Sequence, residues 1–186
     1  MRFWTTARSS MLGLAVLVAA ASARSAGADQ SNVPRFVVDP YWPKPLPDRW
    51  VTGSVGGVCV DRQDHVFGVN RSDLTAMERK VGKQPAPPVI EYGPDGDMVS
   101  AWGDPKVMPK SIHGCFVDSE NNIWIAGNGD GVVQKWTHDG KTMLLQIGGK
   151  GVCDNVDEKC GEPGANRSPR LLNEPADIAV DPADGG

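Results

Sequence analysis

From Val51 onward, short apolar runs alternate with polar turns, and within the runs the alternation has a period of two. Gly57-Val58-Cys59-Val60-Asp61 passes through Arg62 to His65 into Val66-Phe67-Gly68-Val69. Gly114-Cys115-Phe116-Val117-Asp118 passes through Ser119 to Asn122 into Ile123-Trp124-Ile125-Ala126. Both patterns predict a short strand, a terminal Asp, a tight turn and a second strand. An Asp at the end of a strand has a reason to be there, because its carboxylate can accept the turn N–H groups. The second halves also match. Val89-Ile90-Glu91-Tyr92 and Val132-Val133-Gln134-Lys135-Trp136 each run into an Asp-Gly turn and then another apolar run. Asp95-Gly96 and Asp139-Gly140 stand 44 residues apart, and Asp-Gly between alternating runs is a strong hairpin signal.

One unit is therefore four antiparallel strands in roughly 40–55 residues, a period that points to the blades of a β-propeller. The fold class expected is all-β. One blade spans about 51–103 and a second about 112–149. A third copy begins near 173, at Pro175-Ala176-Asp177-Ile178-Ala179-Val180-Asp181. Closure takes at least four blades, so two and a fraction imply the N-terminal part of a longer protein. The 22 Gly and 15 Pro fall between the β-branched runs, as many tight turns require.

Residues 1–28 read as a secretory signal peptide: Arg2 and Arg8, then the apolar run Met11–Ala21, then Ala-x-Ala triplets. Eleven apolar residues are too few to span a bilayer, so no stable membrane insertion is expected. The product is expected to be exported, to a periplasm or the cell exterior, where disulfides persist. The full chain carries a net charge of −4, and losing Arg2, Arg8 and Arg24 makes it more acidic. That balance excludes the basic footprint of a nucleic-acid binder. Residues 29–50 form an extended leader. Phe36-Val37-Val38 predicts a strand, and the prolines from Pro40 to Pro47 forbid helix. Tyr41, Trp42, Leu46 and Trp50 are expected to pack on the chain's own domain.

Few residues offer chemistry. His113 heads an innermost strand beside Gly114, so it is either a metal ligand aimed inward or a capping histidine. His65 and His138 sit in hairpin turns and read as solvated. Arg71, beside Ser72 and Asp73, is either a surface residue or a fork for a carboxylate or oxyanion. Cys153 and Cys160 flank a short loop and predict a disulfide worth about 2.5 kcal/mol in the chain-entropy model. The acids of that loop lack the EF-hand spacing and read as a solvated face. Cys59 aligns with Phe116, and Cys115 with Val58. Pleat alternation then puts the two thiols on opposite faces, and separate buried thiols are expected. Asn70-Arg71-Ser72 and Asn166-Arg167-Ser168 fit the glycosylation sequon. Residues 148–172 are a long insertion able to cover one mouth of a channel.

The blades resemble NHL repeats, and the chain over about 36–186 resembles the peptidyl-α-hydroxyglycine α-amidating lyases and their bacterial relatives. The segments that carry this are Tyr41-Trp42-Pro43, Gly57-Val58-Cys59-Val60-Asp61 leading to Asn70-Arg71, Ile112-His113-Gly114 leading to Asp118, and Pro175 to Pro182. The resemblance implies a six-bladed propeller that cleaves peptidyl-α-hydroxyglycine to a peptide amide and glyoxylate, with zinc and calcium at the axis. It implies His113 as one of three zinc histidines and Arg71 as the active-site arginine. It also implies the backbone carbonyls of Val58 and Cys115 as calcium ligands. Asn70 stands where the family often has His, and the other zinc histidines, the catalytic tyrosine and the calcium aspartate would lie beyond Gly186. This stretch alone is thus expected to be inactive. NHL propellers also serve as non-catalytic modules for protein, peptide or glycan ligands, and that function stays open.

Overall fold

The computed structural model describes residues 34–165, 167–181 and 183. The signal-peptide reading, the second sequon's Asn166 and the turn at 184–186 lie outside them. The chain divides into two units, Met1–Val38 and Asp39–Gly186. In the first, the described residues 34–38 have no regular structure. Phe36, Val37 and Val38 form no strand and are almost fully exposed, so that expectation is corrected: nothing among the described residues pairs with them.

The second unit is nearly all β. Its strands are β1 (Trp50–Val51), β2 (Val55–Val60), β3 (Val66–Asn70), β4 (Gln84–Pro85), β5 (Val89–Tyr92) and β6 (Met98–Trp102). They continue with β7 (Ile112–Val117), β8 (Ile123–Gly127), β9 (Val132–Trp136) and β10 (Met143–Ile147). Strands β2-β3-β5-β6 make one four-stranded antiparallel sheet and β7-β8-β9-β10 a second; β1 and β4 form a short parallel pair. One helix, α1 (Ala76–Lys80), lies in the β3–β5 connection. Thr75 caps it in a capping box with Glu78, which satisfies two N-terminal amides at once.

The two sheets pack face to face. In the first sheet Cys59 pairs with Phe67, and Val69 with Val89. Those residues face Ile112, Cys115, Ile123, Ile125 and Trp136 of the second in one buried cluster. Phe67, Val69, Val89, Ile123 and Ile125 are wholly buried, each burial being worth about 1.5–3 kcal/mol. The far face of the first sheet, with Ile90 and Tyr92, takes Trp42, Leu46 and Trp50 of the leader. The far face of the second, with Trp124, Ala126 and Val133, takes Leu172, Ile178 and Val180. Residues 175–181, where a third unit was expected to begin, thus pack on the second sheet but form no strand.

Strands β2 and β7 run side by side, and glycine makes the approach possible. A Cβ on Gly56 would overlap the Ile112 carbonyl oxygen, and one on Gly57 would lie 3.0 Å from Gly114 Cα. The next step repeats the first: a Cβ on Gly114 would meet the Ala176 carbonyl oxygen at 2.7 Å and Asp177 Oδ1 at 2.5 Å.

Cys59 and Cys115 are joined by a disulfide, which corrects the expectation of separate thiols. The alignment itself holds: the two do occupy opposite faces of equivalent sheets. When equivalent sheets stack, however, the rear face of one meets the front face of the next, so opposite faces are the ones that touch. Cys153 and Cys160 are bonded as expected, so no described cysteine is free. Disulfides of this kind belong to oxidising, exported environments. Asp154 in that loop is buried rather than solvated; its carboxylate accepts the backbone amides of Arg167 and Ser168.

Candidate functional site

Both halves of the site begin at β2 and β7, the first strands of the two four-stranded sheets. In β7 the register slips between Ile112 and Gly114, so His113 occupies a bulge; β2 slips at the equivalent place between Val55 and Gly57. A bulge re-aims the side chain it carries, and His113 is exposed there. Its Nδ1 lies 3.0 Å from the Ala176 carbonyl oxygen. A carbonyl only accepts, so Nδ1 carries the proton and the lone pair of the neutral ring is on Nε2, the nitrogen free to take a ligand.

Val58, His113, Cys115 and Asp177 line one cleft of about 340 Å³. Of the zinc set implied by the resemblance, His113 is the one member within this sequence. A catalytic zinc takes three protein ligands. Among the described residues no metal-holding group of His, Cys, Asp or Glu includes His113. The Asp177 carboxylate is the oxygen type that calcium prefers, but its Oδ1 already accepts the Ile178 amide at 2.9 Å.

Arg71 follows β3, and its Nε donates to the Ile112 carbonyl oxygen at 3.2 Å. The guanidinium is thereby tied to the residue next to His113. Among the described residues no hydrogen bond engages its Nη nitrogens, and Arg71 lines a cleft of about 320 Å³ together with Lys110. Two cations over backbone and proline walls suit an anionic group. Asn70 is no stand-in for a histidine ligand: it is buried, donating to the Pro87 and Pro88 carbonyls and accepting the Ser72 amide. Its side chain holds the turn that presents Arg71. It is also the acceptor of the first sequon, and in the folded chain it is buried.

The sequence missed a second cluster. His65 and His138, read as solvated, meet at the buried carboxylates of Asp61 and Glu91. Asp61 Oδ1 accepts the amides of Gln63 and His65 at 2.8 Å each, the turn cap expected of it. Asp61 Oδ2 lies 3.3 Å from His138 Nε2 and 3.6 Å from His65 Nδ1. Glu91 Oε1 lies 2.7 Å from His65 Nδ1 and 3.8 Å from His138 Nε2, and Ser100 Oγ donates to Glu91 Oε2 at 2.6 Å. Phe67 meets the His138 ring edge-on. The partners are 77 residues apart, so no local pattern could have joined them.

The matching place in the second sheet is an ordinary ion pair. Asp118 caps its turn through the amides of Glu120 and Asn122, while its Oδ2 takes the Trp124 indole N–H and Lys135 Nζ, at 2.8 and 2.9 Å. Burial pushes the Asp118 carboxyl up, but Lys135, the Asn122 amide and the Trp124 indole outweigh it and hold it below its usual range. The Asp118 carboxylate in turn raises Lys135.

Compared with known proteins, the chain matches no protein-family model and no curated protein.

Proposed function

We propose that the protein is an exported β-propeller of the NHL type in which each four-stranded sheet is a blade. We further propose that it acts as an amidating-type carbon–nitrogen lyase on the carboxylate-bearing end of a peptide held by Arg71. The repeated approach of β2 to β7 and of β7 to 175–177 supports the propeller part, because a constant step between equivalent strands is what a ring of blades needs. The observation that carries the function is the placement of Arg71: tied by Nε to Ile112, next to the exposed His113 in sequence, and lining a cleft with Lys110.

Peptidyl-α-hydroxyglycine ends in a carboxylate next to its hydroxyl-bearing carbon. Arg71 can grip that carboxylate through two parallel N–H bonds. In the cleavage the hydroxyl proton leaves, a C=O bond forms, the C–N bond breaks and the amide nitrogen takes up a proton. Arg71 stabilises the negative charge on the oxygen as it develops. Zinc, in the family that the chain resembles, lowers the pKa of a bound hydroxyl. His113 alone does not hold zinc, and no step here is drawn through it.

A form of the protein that also carries the remaining zinc ligands, given a peptidyl-α-hydroxyglycine, is expected to release glyoxylate, and Arg71→Ala in it to slow the release by about a hundredfold or more. Absence of glyoxylate overturns the lyase reading. The fact that His113 belongs to no metal-holding group among the described residues favours a second reading, a non-catalytic module. That reading predicts calorimetric binding of a carboxylate-terminated peptide, lost in Arg71→Ala, with no turnover.

A further inference from the structure

Superposing the repeats by sequence aligns Asp61 with Asp118, Phe67 with Trp124 and Glu91 with Lys135. The second sheet places a lysine ammonium against its buried Asp. The first places another carboxylate there. The Asp61 side chain is wholly buried and that of Glu91 is 6% exposed. Two buried carboxylates that share a site need a positive charge between them, and in this sheet no lysine supplies it. What faces the gap instead is a pair of imidazoles, His65 from the β2–β3 turn and His138 from the β9–β10 turn.

We propose that Asp61, Glu91 and His138 form a three-ligand site for a zinc-class divalent metal ion, clamping the first sheet to the second, with His65 holding Glu91 from outside. The three residues each offer one ligand atom, and those atoms all lie within 4.8 Å of one another. Tetrahedral zinc with N and O ligands at their usual bond lengths puts neighbouring donors about 3.3 Å apart. His138 Nε2 lies 3.3 Å from Asp61 Oδ2 and 3.8 Å from Glu91 Oε1, near that value. An imidazole nitrogen with two carboxylate oxygens, and a fourth position open to water, suits a borderline first-row dication, whereas calcium takes six to eight oxygens.

The surroundings are those of a metal site. Each carboxylate turns one oxygen inward and has the other fixed: Asp61 Oδ1 by two backbone amides, Glu91 Oε2 by Ser100. Outer contacts of that kind orient ligands. A dication neutralises the two carboxylates, and it releases any proton that His65 shares with Glu91 across their 2.7 Å contact. The site is separate from the cleft at His113, and it does not depend on the lyase reading.

The test is titration of the chelator-treated protein with zinc by calorimetry, and with cobalt(II) by visible absorption. One equivalent should bind, and cobalt should give the intense d–d bands of a tetrahedral ion. Both zinc and cobalt binding should fall at least a hundredfold in His138→Gln and in Glu91→Gln, and about tenfold in Ser100→Ala. His113→Ala should leave them unchanged. The unaltered protein decides even if a ligand variant misfolds: a folded parent that takes up no metal shows that protons on the histidines balance the carboxylates, and overturns the proposal. Metal uptake lost in His113→Ala but kept in Ser100→Ala and His138→Gln overturns it as well.

Discussion

The three aspartates that end the repeated motif share one task. Asp61, Asp118 and Asp181 each accept the amide two residues on through Oδ1. That task was readable, because it depends only on neighbours in sequence. The fate of the second oxygen was not, because it depends on which side chain β5 or β9 delivers. For Asp118 the partner is Lys135, and a pH dependence follows. Its carboxyl is held below the usual range in the folded protein. Its stabilisation is therefore present above the ordinary carboxylate range and lost as pH falls through that range toward the lower folded value. Chemical denaturation should show the parent losing stability as pH falls below about 5. Asp118→Asn should be weaker by roughly 1–3 kcal/mol near neutrality, with a flatter pH profile. A variant that matches the parent at both ends would contradict this. His65 and His138 show the limit of reading residues one at a time: a turn position says solvated, and only stacking reveals that both turns fold onto buried acids.

The strands were readable as elements. The period of two, the Asp-Gly turns and the β-branched runs place the strands from β2 to β10 close to where they occur, β4 aside. The five-residue helix α1 went unread, although Thr75 and Glu78 stand at capping-box spacing; its short run lacks the apolar periodicity that marks a helix. The Asp139-Gly140 hairpin offers an element-level test. Gly140 has φ +68°, and a Cβ there would overlap the Trp102 ring across the sheet interface. Gly140→Ala should cost roughly 1–3 kcal/mol from the left-handed backbone and the displaced indole, read as a lower melting temperature. Unchanged stability would mean that β6 and the β9–β10 turn do not touch.

How the sheets stack was only half readable. Repeats at a fixed period imply equivalent units packed in series, and the described residues show two sheets packed face to face. The pairing of Cys59 with Cys115 needed the further step that opposite faces of equivalent sheets meet. The same stacking ties Arg71 to Ile112 and brings His138 onto Asp61, so both candidate sites depend on it. The direct test is peptide mapping without reduction. A peptide containing Cys59 linked to one containing Cys115 is expected, beside a Cys153–Cys160 loop. Removing the first link by Cys59→Ala with Cys115→Ala should lower stability by up to about 4 kcal/mol in the chain-entropy model. Recovery of Cys59 and Cys115 as free thiols, or either one bonded to Cys153 or Cys160, would contradict the stacking of the first sheet on the second.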